Sequence, residues 1–265
     1  MREEVKRVFS LGVIPVYMNQ ILITLILKCR SPESLSNYRP ISLCNTTYKI
    51  VTKIIVNRIR PFLSELVSPL QATFVPGRKG LDNAIIVQEL IHTMSKKKGR
   101  TSVMAIKLDL EKAYDRLEWS FIKDTLKLFN FPDKLISLIM SCVTTTSISI
   151  LFNFGGGGGA RDAFQPSRQL RQGDPLLPYL FMLCMEVLGA LIEGKCREKL
   201  WNPIKASQGG PTFSHVFFAN DLMLFTKPDR KNCVSIKEVL DSFCELLGQK
   251  VSGEKSHVFF SPNVD

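Results

Sequence analysis

The segment His215-Val-Phe-Phe-Ala-Asn-Asp-Leu-Met-Leu-Phe225 constrains this chain more than any other stretch. Two apolar runs, Val216 to Phe218 and Leu222 to Phe225, flank the polar step Asn220-Asp221. Apolar runs of strand length around a turn pair predict a β-hairpin. Both strands are apolar enough to be buried, so the polar chemistry falls at the tip. A bare carboxylate there is costly unless something pairs with it. A second carboxylate at another strand end, with a divalent cation between the two, would supply that pairing. Asn and Asp are also favoured turn residues, and that alone would account for them.

The second carboxylate has a candidate in Asp109. Thr101-Ser-Val-Met-Ala-Ile-Lys-Leu-Asp109 predicts a mostly apolar strand ending on the acid, after which the composition turns helical. A lone Asp between strand and helix reads as an N-cap. Two such acids, one per buried strand end, suit two Mg²⁺ ions and in-line phosphoryl or nucleotidyl transfer.

Several further segments carry weaker signals. Residues 1–20 have little periodicity and predict a partly ordered lead-in with a basic start. Strands are predicted over Ile21 to Lys28 and Ser147 to Phe152. Helices are predicted over Tyr48 to Leu66, Leu81 to Met94, Trp119 to Phe129 and Asp133 to Cys142. Lys96, Lys97, Lys98 and Arg100 form a basic linker that reads as a solvated loop. The apolar stretch Leu176 to Ile192 contains Pro178 and Glu186. It is short for a membrane span and reads as a buried helix entered through the proline. Gly155 to Gly159 lacks the residues of a phosphate-cradling loop and reads as a flexible connection.

The net charge of +11 suits a polyanionic partner, nucleic acid above all, although charge alone does not name one. Hydrophobic residues make up 45% of the chain, enough for a core and against disorder. The 7 cysteines are an odd number without Cys-x-x-Cys or zinc spacing, as expected of thiols in a reducing compartment. No secretory signal is visible, which places the expectation inside the cell, in nucleus or cytoplasm.

Leu170-Arg-Gln-Gly-Asp-Pro-Leu-Leu-Pro-Tyr-Leu-Phe181 resembles the third core motif of reverse transcriptases from non-LTR (LINE-type) retrotransposons, particularly those of plants. Lys107-Leu-Asp-Leu-Glu-Lys-Ala-Tyr-Asp-Arg-Leu-Glu-Trp119 resembles their first palm motif, and Phe218-Ala-Asn-Asp221 their Phe-Ala-Asp-Asp box. Tyr38-Arg-Pro-Ile-Ser-Leu-Cys-Asn45, Gln71-Ala-Thr-Phe-Val-Pro-Gly-Arg78 and Gly253-Glu-Lys-Ser256 fall in the family's order. Any one of these could mislead; six in order, over roughly residues 20 to 262, do not.

The resemblance implies an α+β fold, the fingers and palm of a right-hand polymerase. It implies a lead-in and fingers over 1–100 and a palm with interleaved fingers elements over 101–265, with the thumb absent. The implied partners are an RNA template, a DNA primer and deoxynucleotide triphosphates, with no membrane. The implied metal site is Asp109, the Leu110 backbone carbonyl and Asp221 around two Mg²⁺ ions, with Mn²⁺ as a substitute. Tyr114 matches the aromatic that excludes a ribose hydroxyl. Lys28 and Arg39 match phosphate-clamping positions. Gln172 and Gly173 match the nucleotide pocket, and Lys255 matches a general acid for pyrophosphate.

Departures from the family pattern point the other way. Asn220 stands where the family carries the first Asp of its pair, so it brings no charge to the metals. Leu27 replaces a Pro, Gln169 a Gly, and Ser252 stands at a usual Asn position. With no primer-grip, thumb, endonuclease or RNase H segment in view, these imply a truncated, decayed copy. Three functions are compatible with this pattern: an RNA-directed DNA polymerase, an inactive remnant, or a host-recruited basic nucleic-acid-binding module.

Overall fold

Helix α1 (Arg2–Leu11) leads in chain order to β1 (Gln20–Leu27), β2 (Tyr38–Cys44), α2 (Thr46–Ile59), a short α3 (Leu63–Leu66), α4 (Gly80–Ser95) and β3 (Met104–Asp109). Then come α5 (Trp119–Leu128), α6 (Asp133–Thr144), β4 (Ser147–Leu151) and α7 (Leu177–Arg197). The short strands β5 (Ile204–Lys205) and β6 (Thr212–Phe213) precede β7 (His215–Phe218), β8 (Asp221–Thr226), α8 (Arg230–Leu247) and β9 (His257–Phe260). This computed structural model describes residues 1–151, 163–168, 170, 173–207, 209–218 and 221–264. The Gly155 to Gly159 run lies outside them.

The chain divides into two units, each built from two separate stretches. The first comprises Met1–Ile59 and Leu117–Phe181, the second Arg60–Arg116 and Met182–Asp265. A division at residue 100 falls inside the second unit.

In the first unit β1 pairs antiparallel with β2, from Ile21 opposite Cys44 to Leu27 opposite Tyr38. It pairs in parallel with β4, from Gln20 opposite Ser147 to Thr24 opposite Leu151. The sheet is therefore mixed. Pro40 is tolerated in β2 because that strand is an edge, where one side of the ladder needs no donor. The lead-in is more ordered than its periodicity predicts. Helix α1 buries Val8 and ends at Gly12 in the left-handed conformation (φ 69°). Long-range bonds anchor the segment between α1 and β1: Ile14 N donates to Ser141 Oγ at 2.8 Å, and Asn19 Nδ2 donates to the Cys142 carbonyl at 2.9 Å. The helix expected over Tyr48 to Leu66 ends at Ile59 instead. Pro61 has no N–H to continue the ladder, and Arg60–Phe62 forms a 3₁₀ turn before α3.

In the second unit the sheet order is β7-β8-β3-β9, with every pairing antiparallel. Leu90 and Met94 of α4 pack with Ala105, Val216, Met223 and Phe225 into a buried cluster on one face. On the other face, His215 and Phe217 lie so close to Gly189 of α7 that an added Cβ would come within 3.3 Å of His215 Nε2. Helix α7 extends to Arg197, and its stretch from Leu180 to Glu186 is buried. Its 21 residues are long and apolar enough to cross a membrane by length and composition, contrary to the sequence estimate; burial of that stretch accounts for the apolarity as core. Lys195 of α7 pairs with Glu238 of α8 at 2.8 Å. Asp229 caps α8 by accepting from Asn232 N at 2.9 Å. No disulfide joins the cysteines, all of which are among the described residues.

Arg78 organises the turn ahead of α4. Its guanidinium donates to the carbonyls of Ser68, Gln71, Ser64 and Val67 at 2.5, 2.7, 3.2 and 2.9 Å. A planar five-donor fork can serve such a set and a single ammonium cannot. Arg78→Lys is expected to lower unfolding free energy by about 1–2 kcal/mol, since carbonyls are left without donors. Chemical denaturation reads this directly, and an unchanged midpoint contradicts the role.

Candidate active site

The hairpin of β7 and β8 forms as its apolar runs predict, with Phe218 opposite Asp221. Strand β8 then lies beside β3, and the register sets Asp109 directly opposite Asp221. Opposed residues of an antiparallel pair project from the same face, with Cβ atoms about 4.5–5.5 Å apart. The two carboxylates therefore share one face at one end of the sheet. The other end of that face is the apolar cluster around Ala105, Met223 and Phe225. Contrary to the expectation of a buried tip carboxylate, the Asp221 side chain is half-exposed, at 48%.

Like charges set directly opposite are destabilising. The compensating charge is Lys107, two residues before Asp109 and so on the same face. Its Nζ lies 3.3 Å from Asp221 Oδ1. The sequence reading missed this residue. The alternation in Lys107-Leu-Asp109 placed it on the acid's face, but only the strand register brings it to Asp221.

Backbone bonds hold the end of β3. Asp109 N donates to Ser256 Oγ at 3.2 Å, and the Asp109 carbonyl accepts from Ser252 N at 2.8 Å. Ser252 contributes a backbone N–H, which any residue but proline would supply there. Leu110 forms an isolated bridge with Val251, whose bonds come from the flanking residues Asp109 and Glu111. That bridge does not use the Leu110 carbonyl. Lys255 is exposed, in the turn leading into β9.

Tyr114 does not sit on a helix. Residues 111–115 form turns, with Lys112 at φ 48°, and α5 begins only at Trp119. Tertiary bonds override the helical composition. Gln249 Nε2 donates to the Ala113 carbonyl at 2.7 Å, and Glu111 N donates to the Lys250 carbonyl at 2.8 Å. Tyr114 is half-buried in this turn.

The first unit carries the remaining candidates. Ile26 is opposite Arg39, and Lys28 N continues the ladder by donating to the Asn37 carbonyl at 2.8 Å. Lys28 and Arg39 are thus diagonal neighbours on one face, about 7–8 Å apart, and both are exposed. Two cations at that spacing can engage one polyphosphate. Gly173 has φ 97°, and a Cβ there would meet the Ser42 carbonyl oxygen at 3.3 Å. Glycine is required by the backbone at this place. Asp174, which the sequence reading left without a role, accepts from Leu176 N at 2.9 Å ahead of α7 and from the hydroxyl of buried Tyr48. Gln172 and Asn220 lie outside the described residues.

Among the described residues no three His, Cys, Asp or Glu side chains gather into a metal site. The pair Asp109 and Asp221 offers hard oxygen donors of the kind Mg²⁺ and Mn²⁺ take. The ammonium of Lys107 against Asp221 marks the place as one that attracts a cation. The donor set fits a divalent ion, short of a third carboxylate.

The family model for reverse transcriptase (RNA-dependent DNA polymerase) matches residues 28–264. The chain is 31% identical over 178 residues to a 149 kDa protein of transposon TX1 from Xenopus laevis, covering 67% of this chain and 13% of that protein. It is 29% identical over 219 residues to the Pol polyprotein of the retrotransposable element R2DM from Drosophila melanogaster, covering 83% of this chain and 19% of that one. The chain thus spans less than a fifth of either relative's length. Among solved structures it is similar to telomerase from Candida albicans, with a TM-score of 0.61 and 12% identity over 94% of this chain and 44% of that one. That likeness supports the mixed α+β fold of fingers and palm.

Proposed function

Because the chain belongs to the reverse transcriptase (RNA-dependent DNA polymerase) family, we propose that it is the catalytic part of an RNA-directed DNA polymerase that extends a DNA primer with deoxynucleotides. We place its origin among plant LINE-type elements on the string Leu170 to Phe181. The observation that carries the reading is Asp109 opposite Asp221 at the end of the four-stranded sheet. Asp109, Asp221 and the Leu110 carbonyl would hold two Mg²⁺ ions, or Mn²⁺ in their place. When bound, the metal acidifies the primer 3′-hydroxyl and neutralises triphosphate charge.

The chain's own residues do the rest. The same-face placement of Lys28 and Arg39 supports a clamp on the incoming triphosphate, Arg as a fork and Lys as a point charge. Gln172 and the backbone at Gly173 would line the nucleotide pocket. The Tyr114 ring would exclude a ribose 2′-hydroxyl. Lys255 Nζ would hold the proton that the leaving pyrophosphate takes. Asn220 slows the reaction, because a neutral amide replaces an anion that would offset metal charge. The same residue favours a second reading, a remnant that binds nucleic acid without catalysis.

Primer extension on an RNA template with Mg²⁺ or Mn²⁺ separates the two. Asp109→Asn is expected to cut synthesis at least about a hundredfold, the scale of losing one electrostatic group at a reacting centre. Synthesis that survives this change refutes Asp109 as a metal ligand. Salt-sensitive RNA binding without synthesis supports the remnant.

A further inference from the structure

We infer that Lys107 is a resident counter-cation which divalent metal must displace from Asp221, and that it sets how weakly this site takes a metal. The inference rests on Asp109 and Asp221 being metal ligands. Four observations carry it.

Lys107, Asp109 and Asp221 share one face, since 107 and 109 are two apart on β3 and 109 is opposite 221. Lys107 Nζ is 3.3 Å from Asp221 Oδ1, nearer than an intervening metal and its ligand shell would permit. Both side chains are 41–48% exposed, so the ammonium can swing into solvent when a better cation arrives. The neighbours of Lys107 across the sheet are Met223 and His257, neither of which is a carboxylate to receive it.

The charges give the direction. Two carboxylates and one ammonium leave the group at −1, and an entering divalent ion must break an ion pair and approach a like charge. Removing the ammonium leaves −2, the same formal charge that a carboxylate at position 220 would restore. Breaking a half-exposed pair costs little, so the shift is about fivefold in affinity rather than orders of magnitude. Without metal, Lys107 has the converse effect, holding together two acids that would otherwise repel.

Free Mn²⁺, read by its electron paramagnetic resonance signal during titration at low ionic strength, tests this without any turnover. Lys107→Met keeps the apolar stem and removes the charge; Lys107→Arg keeps the charge. The expected result is Mn²⁺ binding about fivefold tighter in Lys107→Met and within about twofold of the unmodified chain in Lys107→Arg. The gap should narrow as salt screens the exposed ammonium. Equal or weaker binding in Lys107→Met overturns the competitor role while leaving the metal site standing. Absence of saturable binding in every chain, or binding that Asp221→Asn leaves intact, removes the two-carboxylate site and the competitor with it.

Discussion

Replacing Asn220 with Asp is expected to raise Mg²⁺-dependent, RNA-templated DNA synthesis about a hundredfold. Asn and Asp are nearly isosteric, so the change adds an anion between β7 and β8 without adding bulk. Asp109 and Asp221 already share one face, and a carboxylate at position 220 would add a further anion to offset metal charge. Removing one electrostatic contact of this kind costs about a hundredfold or more in rate, or about 3 kcal/mol, and restoring it should return a similar factor. Mn²⁺, which accepts neutral oxygen and nitrogen donors more readily, should partly rescue the unmodified chain and shrink the difference. Single-turnover extension with both metals measures the ratio. A ratio near one with Mg²⁺ would show that the missing charge at position 220 does not limit the rate.

Glu186→Gln is expected to steepen the rise of stability with pH, by removing the buried carboxyl that offsets the titration of His215. Glu186 lies on α7 at 8% exposure; its Oε2 accepts from Ser68 N at 2.9 Å and its Oε1 has no hydrogen-bond partner. Burial raises its carboxyl to about 7, against the pull of the Ser68 N–H and of Arg78. His215 is fully buried beside Ser214 Oγ, with Nε2 unpartnered, and burial lowers its imidazole to about 4. The folded chain keeps the Glu186 proton up to about pH 7 while the unfolded chain releases it near 4.5, so this stability is full below 4.5 and lost as pH rises. The unfolded chain protonates His215 below 6.5 while the folded chain waits until about 4, so this stability is full above 6.5 and lost as pH falls.

The two slopes oppose each other over nearly the same window. Each is worth about 3 kcal/mol, at about 1.4 kcal/mol per pKa unit. Glutamine keeps the acceptor for Ser68 N and removes the titration. Stability of Glu186→Gln should therefore rise by about 3 kcal/mol from pH 4 to 7, while His215→Leu should fall by a similar amount as pH rises. Urea denaturation across this range reads both. A Glu186→Gln profile parallel to that of the unmodified chain would mean the buried carboxyl does not titrate in this window.

The elements that local pattern controls were legible in the sequence. The hairpin arises from two apolar runs around a polar pair, and α4, α5 and α6 start where their periodicity starts, within a residue. The end of α2 ahead of Pro61 was not legible, because the apolar spacing continues through the proline to Leu66 and hides the break. Residues 111–115 read as helix because composition cannot register that Gln249 and Lys250 will hold them in turns. The lead-in read as loose because what orders it, the α6 residues Ser141 and Cys142, lies more than 120 residues away.

The sequence by itself determined the two acids, their strand ends and the family order of six motifs, since residue identity and short-range periodicity fix these. It also determined the absence of charge at position 220. Only the tertiary structure decided that Asp109 and Asp221 stand side by side, that Lys107 reaches Asp221, and that Ser252 and Ser256 clamp the end of β3. It decided too that β1 pairs in parallel with β4 from the far side of the first unit's sequence gap. The physical reason is that register is a choice among partners distant in the chain. Shifting a strand by one residue turns every side chain to the other face, and burial of the whole sheet face selects the register that no local segment encodes.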